Sequence, residues 1–515
     1  MEYLQLKKIL LIFDMNFMRQ LINKRNLRLS SFILGIVVIQ FEGCLQTHAQ
    51  SVALGAPFRI NTFTQSVTES ASTAIDGDGN FVVVWQSSVQ DGDNAGIFAQ
   101  CYDLQGARKG LEFQVNSYTQ DFQGTPDIAM DHGGDFVICW ESSGQDGSGL
   151  GIYAQRYNSD GSVQGAEFKV NTITSQNQVL PKIAMSYNGD FVIIWNSADI
   201  KAQRYNALGV PIGSEFKVNT SNGDRRDCVV AMDSTGNFIV SWSSYDQDGD
   251  RYGVYAQLYD SFGNKVGTEF RVNTSTTLDQ RYSSVAMNND GDFVIAWESN
   301  IIQPAEGTFY ERFDVYAQRY NKEGIPQGQE IFVNTYTNLS QESPSVAMNK
   351  SGGFIITWQS LAQDGSTFSI YAQCYAANGL RVGDEFAVEH NYSGCQDQAK
   401  IVMNEKGDLV VIWREYASPY GIFGQRFQYS LSPITAIGNL ENNIPINIYP
   451  NPATSKIYNN DKAQVNISLL NLAGNILKDG VFVNNYFDVS DIPKGMYIVI
   501  LSRGGARECH KLLIQ

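Results

Sequence analysis

Histidine is nearly missing from this chain. Of 515 residues only four are histidine, and just His132, His390 and His510 fall after residue 49. They form no cluster spaced for zinc. A Gly-x-Ser-x-Gly elbow and a phosphate-cradling glycine loop are also absent, which removes the common hydrolase, metalloenzyme and nucleotide signatures. Cysteine is scarce and irregular. Cys101, Cys139, Cys228, Cys374, Cys395 and Cys509 follow residue 49 with no Cys-x-x-Cys, which excludes a disulfide scaffold and leaves single pairs such as Cys374 with Cys395 open. Basic charge is in deficit: 37 Lys and Arg face 53 Asp and Glu, for a net charge of −16. No basic stripe interleaves with aromatics, so nucleic acid is not an expected partner. Helical periodicity and long apolar runs are absent too.

The first 49 residues are the exception to the acidic balance, with six Lys or Arg against three acidic residues. The apolar run Phe32 to Phe41 is too short to span a bilayer, which takes roughly 20 residues. Thr47 and Ala49 are placed as the small residues of a cleavage site. Residues 1–49 therefore read as a signal peptide, with Met15 or Met18 as an alternative initiator. No transmembrane segment is expected after cleavage. Cys44 in GCLQ offers a lipoprotein alternative, against which Phe41 and Glu42 count.

What is abundant is repetition. The seven tryptophans, Trp85, Trp140, Trp195, Trp242, Trp297, Trp358 and Trp413, are separated by 55, 55, 47, 55, 61 and 55 residues. A period of that size is read before anything else. Each Trp closes an apolar run such as FVIIW (191–195), and six copies have Phe four residues earlier, with Leu409 in the seventh. A Gly two residues before that position, from Gly79 to Gly407, marks a tight hairpin because Gly reaches positive φ at little cost. Four short strands fit each unit, as in SVAM (284–287), FVIAW (293–297), VYAQRY (315–320) and IFVNT (331–335). Runs apolar at consecutive positions need both faces buried. Seven such units predict a seven-bladed β-propeller over residues 50–430. The seventh unit lacks its fourth strand, while FRINT (58–62) stands alone ahead of the first tryptophan. That strand can complete the last blade and close the ring.

The Ala-Gln-x-Tyr motif carries its Gln in all seven copies, from Gln100 to Gln425, and Gln-Asp-Gly recurs at 90–92, 145–147, 247–249 and 363–365. Residues repeated in every blade satisfy the same backbone groups each time, and Asp-Gly is turn chemistry. Calcium is the one cofactor the sequence suggests, from carboxylates at alternating positions. Asp246, Asp248 and Asp250 are the stronger candidates, and Asp76-Gly-Asp78-Gly-Asn80 the weaker. Neither stretch has the bidentate Glu of an EF-hand loop.

Function is expected where the copies differ, on the face formed by the loops after the second and fourth strands. The longest insertion (298–318) and the shortest connection (196–203) lie there. Candidate ligand-binding residues are Arg225, Arg226, Asp279, Arg281, Glu306, Tyr310, Glu311 and Arg312, with Gln123, Gln178, Gln280, Gln341 and Gln396 at one register. Tyr, Arg and Gln suit hydroxyl-rich ligands. No catalytic residues are assigned. The expected function is binding of a glycan or surface protein; the competing expectation is a polysaccharide hydrolase or lyase on the same scaffold, and a structural surface-layer role is a third. Propellers host more than one of these.

After a linker (431–443), residues 444–515 read as a small β-sandwich domain with Pro-Asn-Pro, Ala-Gly-Asn and Lys-Gly turns. Tyr449-Pro450-Asn451-Pro452, Gly474, Lys494-Gly495-Met496-Tyr497-Ile498-Val499 and Lys511-Leu512-Leu513-Ile514 occur in order up to the end. This stretch resembles the C-terminal sorting domain of type IX secretion cargo of Gram-negative bacteria. The resemblance implies passage through the periplasm, recognition of this domain by the outer-membrane translocon, and release or surface attachment. The repeats resemble QDG…YAQRY…VNT units of secreted bacterial surface proteins, which implies location and repeat structure only. The fold class expected is all-β, a propeller followed by a sandwich.

Overall fold

The computed structural model describes residues 52–305, 308–389, 394–416 and 420–429, and after these 448–449, 455–459, 466–470, 476–482, 486–503 and 506–514. The expected signal peptide and linker lie outside these residues. The chain divides into two compact units, residues 1–433 and 434–515. No helix among the described residues is long and apolar enough to cross a membrane.

The first unit is a β-propeller of seven antiparallel sheets. Six are four-stranded in simple chain order, for example Thr68–Ile75, Phe81–Ser88, Ala95–Tyr102 and Arg108–Gln114. The seventh takes Gln396–Met403, Asp408–Glu415 and Gly421–Gln428 from the last repeat, and its outer edge comes from the other end of the repeat region. Val52–Ala53 and Phe58–Arg59 pair antiparallel with Gly421–Gln428, with Phe58 opposite Gly424. The first strand of each sheet packs on the first strand of the next, and that of the seventh packs on that of the first.

The second strand of each sheet shows why the apolar runs are needed. Phe191–Asn196 is buried along its entire length, since a sheet covered by a neighbour on each face has no solvent side. Each core cluster joins two adjacent sheets; one holds Val192, Ile194 and Ala202 together with Val240, Trp242 and Tyr259. All seven tryptophans are at most 1% exposed. In six of the seven repeats the Phe and Tyr stack in parallel, as in Phe81 on Tyr102 at 4.8 Å between centroids. Outer strands such as Arg108–Gln114 are largely exposed and carry Lys, Arg and a positive-φ glycine, Gly110, features that discourage edge pairing.

The repeated polar motifs join blades. Glu112 accepts from the Thr62 N–H and hydroxyl at 2.6 and 2.8 Å and from Gln90 Nε2 at 2.6 Å. The same arrangement links Ser117, Glu167 and Gln145, then Thr220, Glu269 and Gln247. The Gln of Gln-Asp-Gly thus ties its turn to the outer strand. The Gln of Ala-Gln-x-Tyr serves its own sheet: Gln100 Nε2 donates to the Cys101 carbonyl at 2.9 Å and approaches the Lys109 and Gly110 carbonyls. Both motifs are structural. Cys101, Cys139, Cys228 and Cys395 are free thiols, so the Cys374–Cys395 bridge is not formed.

The second unit is a small sandwich with one three-stranded sheet (Ile448–Tyr449, Lys456–Asn459, Tyr486–Asp488) and one four-stranded sheet (Ile476–Val481, Asn466–Leu470, Gly495–Arg503, Ala506–Ile514). Every second residue faces the core, including Ile467 and Leu469, Tyr497, Val499 and Leu501, and Leu512 and Ile514. Gly495 pairs with Ile514 and Lys511 with Ile498 in the backbone ladder, and the Tyr497 hydroxyl donates to the Pro493 carbonyl at 2.6 Å. Pro450, Asn451 and Pro452, and the Tyr449 side chain, lie outside the described residues.

The seam between first and seventh blades rests on Ile60, which is fully buried and packs with Trp85, Val410, Ile412 and Ile422. Ile60→Ala should cost about 2–5 kcal/mol in urea unfolding. Leu111→Ala, at an outer-strand residue 88% exposed, should stay within about 0.5 kcal/mol.

Candidate functional site

The face formed by the loops after the second and fourth strands carries an irregularity in every blade. One residue near the start of the first strand lies in the left-handed region: Ser70, Thr125, Leu180, Asp227, Tyr282, Ser343 and Gln398, with φ between 47° and 55°. None is glycine, and such a residue is held there only by its surroundings. Each sits in a bulge where the pairing register shifts, as between Arg281 and Ser284. The support comes from the residue after the preceding blade's tryptophan. Glu141 accepts from the Leu180 N–H at 2.9 Å, Ser243 from Tyr282 at 3.3 Å and Glu298 from Ser343 at 2.9 Å. The bulge gives one face of the ring a set of side chains that hardly repeats.

Blades four and five place an arginine before this residue. Arg226 pairs with Asp224 at 2.7 Å and lies over the Tyr252 ring at 5.5 Å, while the Tyr252 hydroxyl donates to the same carboxylate at 2.7 Å. Arg281 lies 5.0 Å from the Tyr282 ring centroid and 4.6 Å from that of Phe313. Glu298 accepts its Nε–H at 3.0 Å. Tyr245 meets Tyr252 edge-on at 5.1 Å, and Tyr245 and Tyr282 are 49% and 44% exposed. A third pairing stands in blade seven, where Arg414 lies 4.4 Å from the Tyr416 centroid and bonds Asp397 at 2.7 Å and Glu69 at 3.1 Å.

Electrostatics separate the exposed groups from the buried ones. Burial pushes the Glu298 carboxyl up to about 7, against the downward pull of the Ser343 N–H and Arg281. Burial also raises Asp227, although Ser243, Arg281 and Arg226 oppose it. Glu298 is 2% exposed and both its oxygens are engaged. It therefore works as a support for Arg281 rather than an acid open to a substrate.

Several expected site residues are absorbed by the scaffold. Arg225 is buried and donates to the carbonyls of Gly223 and Ser221. It replaces the glutamine of other blades, where Gln123 donates to Gln120 O and accepts from Asn116. Gln178 and Gln280 repeat those bonds, and Gln341 and Gln396 are likewise buried, which corrects the reading of the five glutamines as ligand contacts. Asp279, 14% exposed, holds Arg251 and the Tyr252 N–H, each at 3.3 Å. Arg312 pairs with the fully buried Asp314 at 3.2 Å. Glu306 and the side chains of Tyr310 and Glu311 lie outside the described residues. The insertion itself is no loop: Phe293–Ala305 and Thr308–Tyr320 pair continuously from Phe293–Tyr320 to Ala305–Thr308, extending the hairpin of blade five.

The calcium candidates do not gather into a site. Asp76 spends its carboxylate on its own turn, accepting from the Asp78 and Asn80 N–H groups and the Asn80 side chain. Asp250 accepts from the Leu278 N–H at 2.8 Å, and Asp248 folds against Gly253. Among the described residues no group of three His, Cys, Asp or Glu side chains is placed to hold a metal ion, Asp246 included.

The raised Glu298 gives a testable pH dependence. A carboxyl whose folded value lies above its ordinary 4.5 contributes stability that is full below about pH 4.5 and lost as pH rises through about 7. Wild type should therefore lose stability against Glu298→Gln across that window, by at most about 1.4 kcal/mol per pH unit. Urea midpoints measured from pH 4.5 to 8 check this, and parallel curves would contradict it.

Solved structures similar to this chain include a protein of unknown function from Dyadobacter fermentans (11% identity, 74% of this chain and 100% of that one, TM-score 0.45). Another is the β-propeller domain of the Trilobed protease from Pyrococcus furiosus (10%, 73% and 99%, 0.43). A third is an α-L-arabinanase from Penicillium chrysogenum (14%, 74% and 98%, 0.41). No curated protein matches the chain. Residues 447–515 match the secretion system C-terminal sorting domain. This C-terminal sorting domain indicates export by type IX secretion to the cell surface or the extracellular space.

Proposed function

We propose that the exported propeller is a binding module for glycans, with Arg226, Tyr252, Arg281 and Tyr282 as its contact surface and the sorting domain as its handle for the translocon. The observation that carries this reading is the Arg281 guanidinium, set between Tyr282 and Phe313 with its Nε edge fixed by Glu298. A planar cation held this way loses little rotamer freedom when it meets hydroxyls or carboxylates. The exposed Tyr282 and Tyr245 rings add apolar faces on which a sugar ring can stack. Adjacent Arg-Asp and Arg-Tyr pairs at one register of neighbouring blades suit an extended polymer better than a small solute. The enzymatic alternative finds less support, since the carboxyl shifted furthest, Glu298, is enclosed.

The test is retention of the exported chain on a panel of immobilised polysaccharides, with new chain ends measured in the same samples. Retention without new ends is expected, and Arg281→Ala with Tyr282→Ala should weaken it at least about tenfold, which is about 1.4 kcal/mol. Unchanged retention in the double variant would contradict the assignment of the surface. New chain ends would establish an enzyme instead.

A further inference from the structure

Methionine has one place in the propeller. Every methionine between residues 52 and 429 is the last residue of a first strand: Met130, Met185, Met232, Met287, Met348 and Met403. The equivalent residue in blade one is Ile75. All six are half-buried and line a single cavity of about 210 Å³. It lies at the turns between first and second strands, the opposite end of those strands from the arginine–tyrosine face. A methionine used only to fill core gaps would be scattered among the Val, Ile and Leu positions. Here all six stand at one register, each packed on the edge of an inter-sheet core cluster and each lining the same cavity.

Several oxygen donors at this cavity are already committed. Besides Asp76, Asp131 accepts from the Asp135 N–H at 3.0 Å, and Asp233 accepts from Thr235 and Asn237. Carboxylates closing turns are poor ligands, so the six thioethers are the soft donors set within an otherwise polar lining. An imidazole stands with it. His132 lines the same cavity, stacks on Tyr187 at 4.1 Å and sits 3.7 Å from Glu405, which Asn289 also holds at 2.8 Å. Glycine at 77 makes room for this ring, because a Cβ there would fall 2.1 Å from His132 Cε1.

We propose that this cavity binds one soft monovalent cation, Cu(I) or Ag(I), through several of the six thioethers with His132 at its rim. Thioether sulfur is a soft donor that prefers such ions to calcium, magnesium or zinc, and imidazole tolerates them. The site is independent of the glycan-binding reading, being built from other residues at the other end of the strands.

Silver is the probe, being redox-stable in this state. The exported chain, labelled at methionine methyl carbons and alkylated beforehand because Cys395 is a partly exposed free thiol, is titrated with Ag(I) by NMR. The six ring methyl signals should shift and reach an endpoint at one equivalent, while Met496 of the C-terminal unit stays in place as the internal reference. In Met185→Ile/Met287→Ile/Met403→Ile the endpoint should be lost. Isoleucine is what blade one uses at this position, and tryptophan emission checks the fold. Ring methyl signals that do not move in the wild-type chain would overturn the proposal, whether or not the variant folds. An equal response in the folded variant would overturn it as well.

Discussion

Everything in the propeller depends on apolar faces of one sheet covering those of the next. A single four-stranded sheet from this sequence has nothing else to put over Phe-Val-Ile-Ile-Trp, and a row of sheets would leave two such faces bare. The chain solves this by bringing the first sheet against the seventh and by letting Phe58–Arg59 run beside Gly421–Gln428. Ile60 and its neighbours then fill a core drawn from both ends of the repeat region. At about 25 cal/mol per Å² of apolar surface removed from water, a face left open would cost many times the worth of any single surface ion pair.

That arrangement divides the labour among residues. Side chains that repeat, including the tryptophans, the stacked Phe and Tyr of six blades, and the Gln–Glu ties of four, make the same contacts from blade to blade. Side chains that do not repeat gather at the two ends of the first strands. One end carries the left-handed residues and the arginines beside them. The other carries His132, Tyr187, Asn289, Lys350 and Glu405 around the methionine cavity. A rigid ring with variable rims keeps its side chains in fixed relation. The acidic balance of the chain keeps such a body soluble outside the cell.

The fold was legible because its causes are local and repeated. Trp spacing, buried second strands, hairpin glycines and the displaced strand at 58–62 each have one physical reading, and the C-terminal motifs specify their domain in the same way. The site was legible only in part. Arg226 and Arg281 stood out as non-repeating charges and do stand beside aromatic rings. Arg225 and Arg312 looked the same in sequence, yet one replaces a structural glutamine and the other neutralises a buried aspartate. Their roles depend on which way a bulged strand turns each side chain, and no spacing rule encodes that. The bulge itself was missed because its left-handed residue is Tyr, Leu, Asp or Thr rather than the glycine that usually marks such a backbone. Its trace was present as variability at one register, Ser70 through Gln398. The 298–318 insertion has no repeat to align with, and its residues pair as strands.

The most direct test of this account is native-state hydrogen exchange at the seam. The Ile60 N–H donates to the Ile422 carbonyl at 2.8 Å, and the Ile422 N–H donates to Asn61 Oδ1 at 3.0 Å. If the displaced strand closes the ring, both amides exchange as slowly as that of Val254, which donates to Asn273 Oδ1 in the same way in blade four. Seam amides that exchange near the rate of an open edge, while Val254 stays protected, would contradict closure and the fixed rims that depend on it.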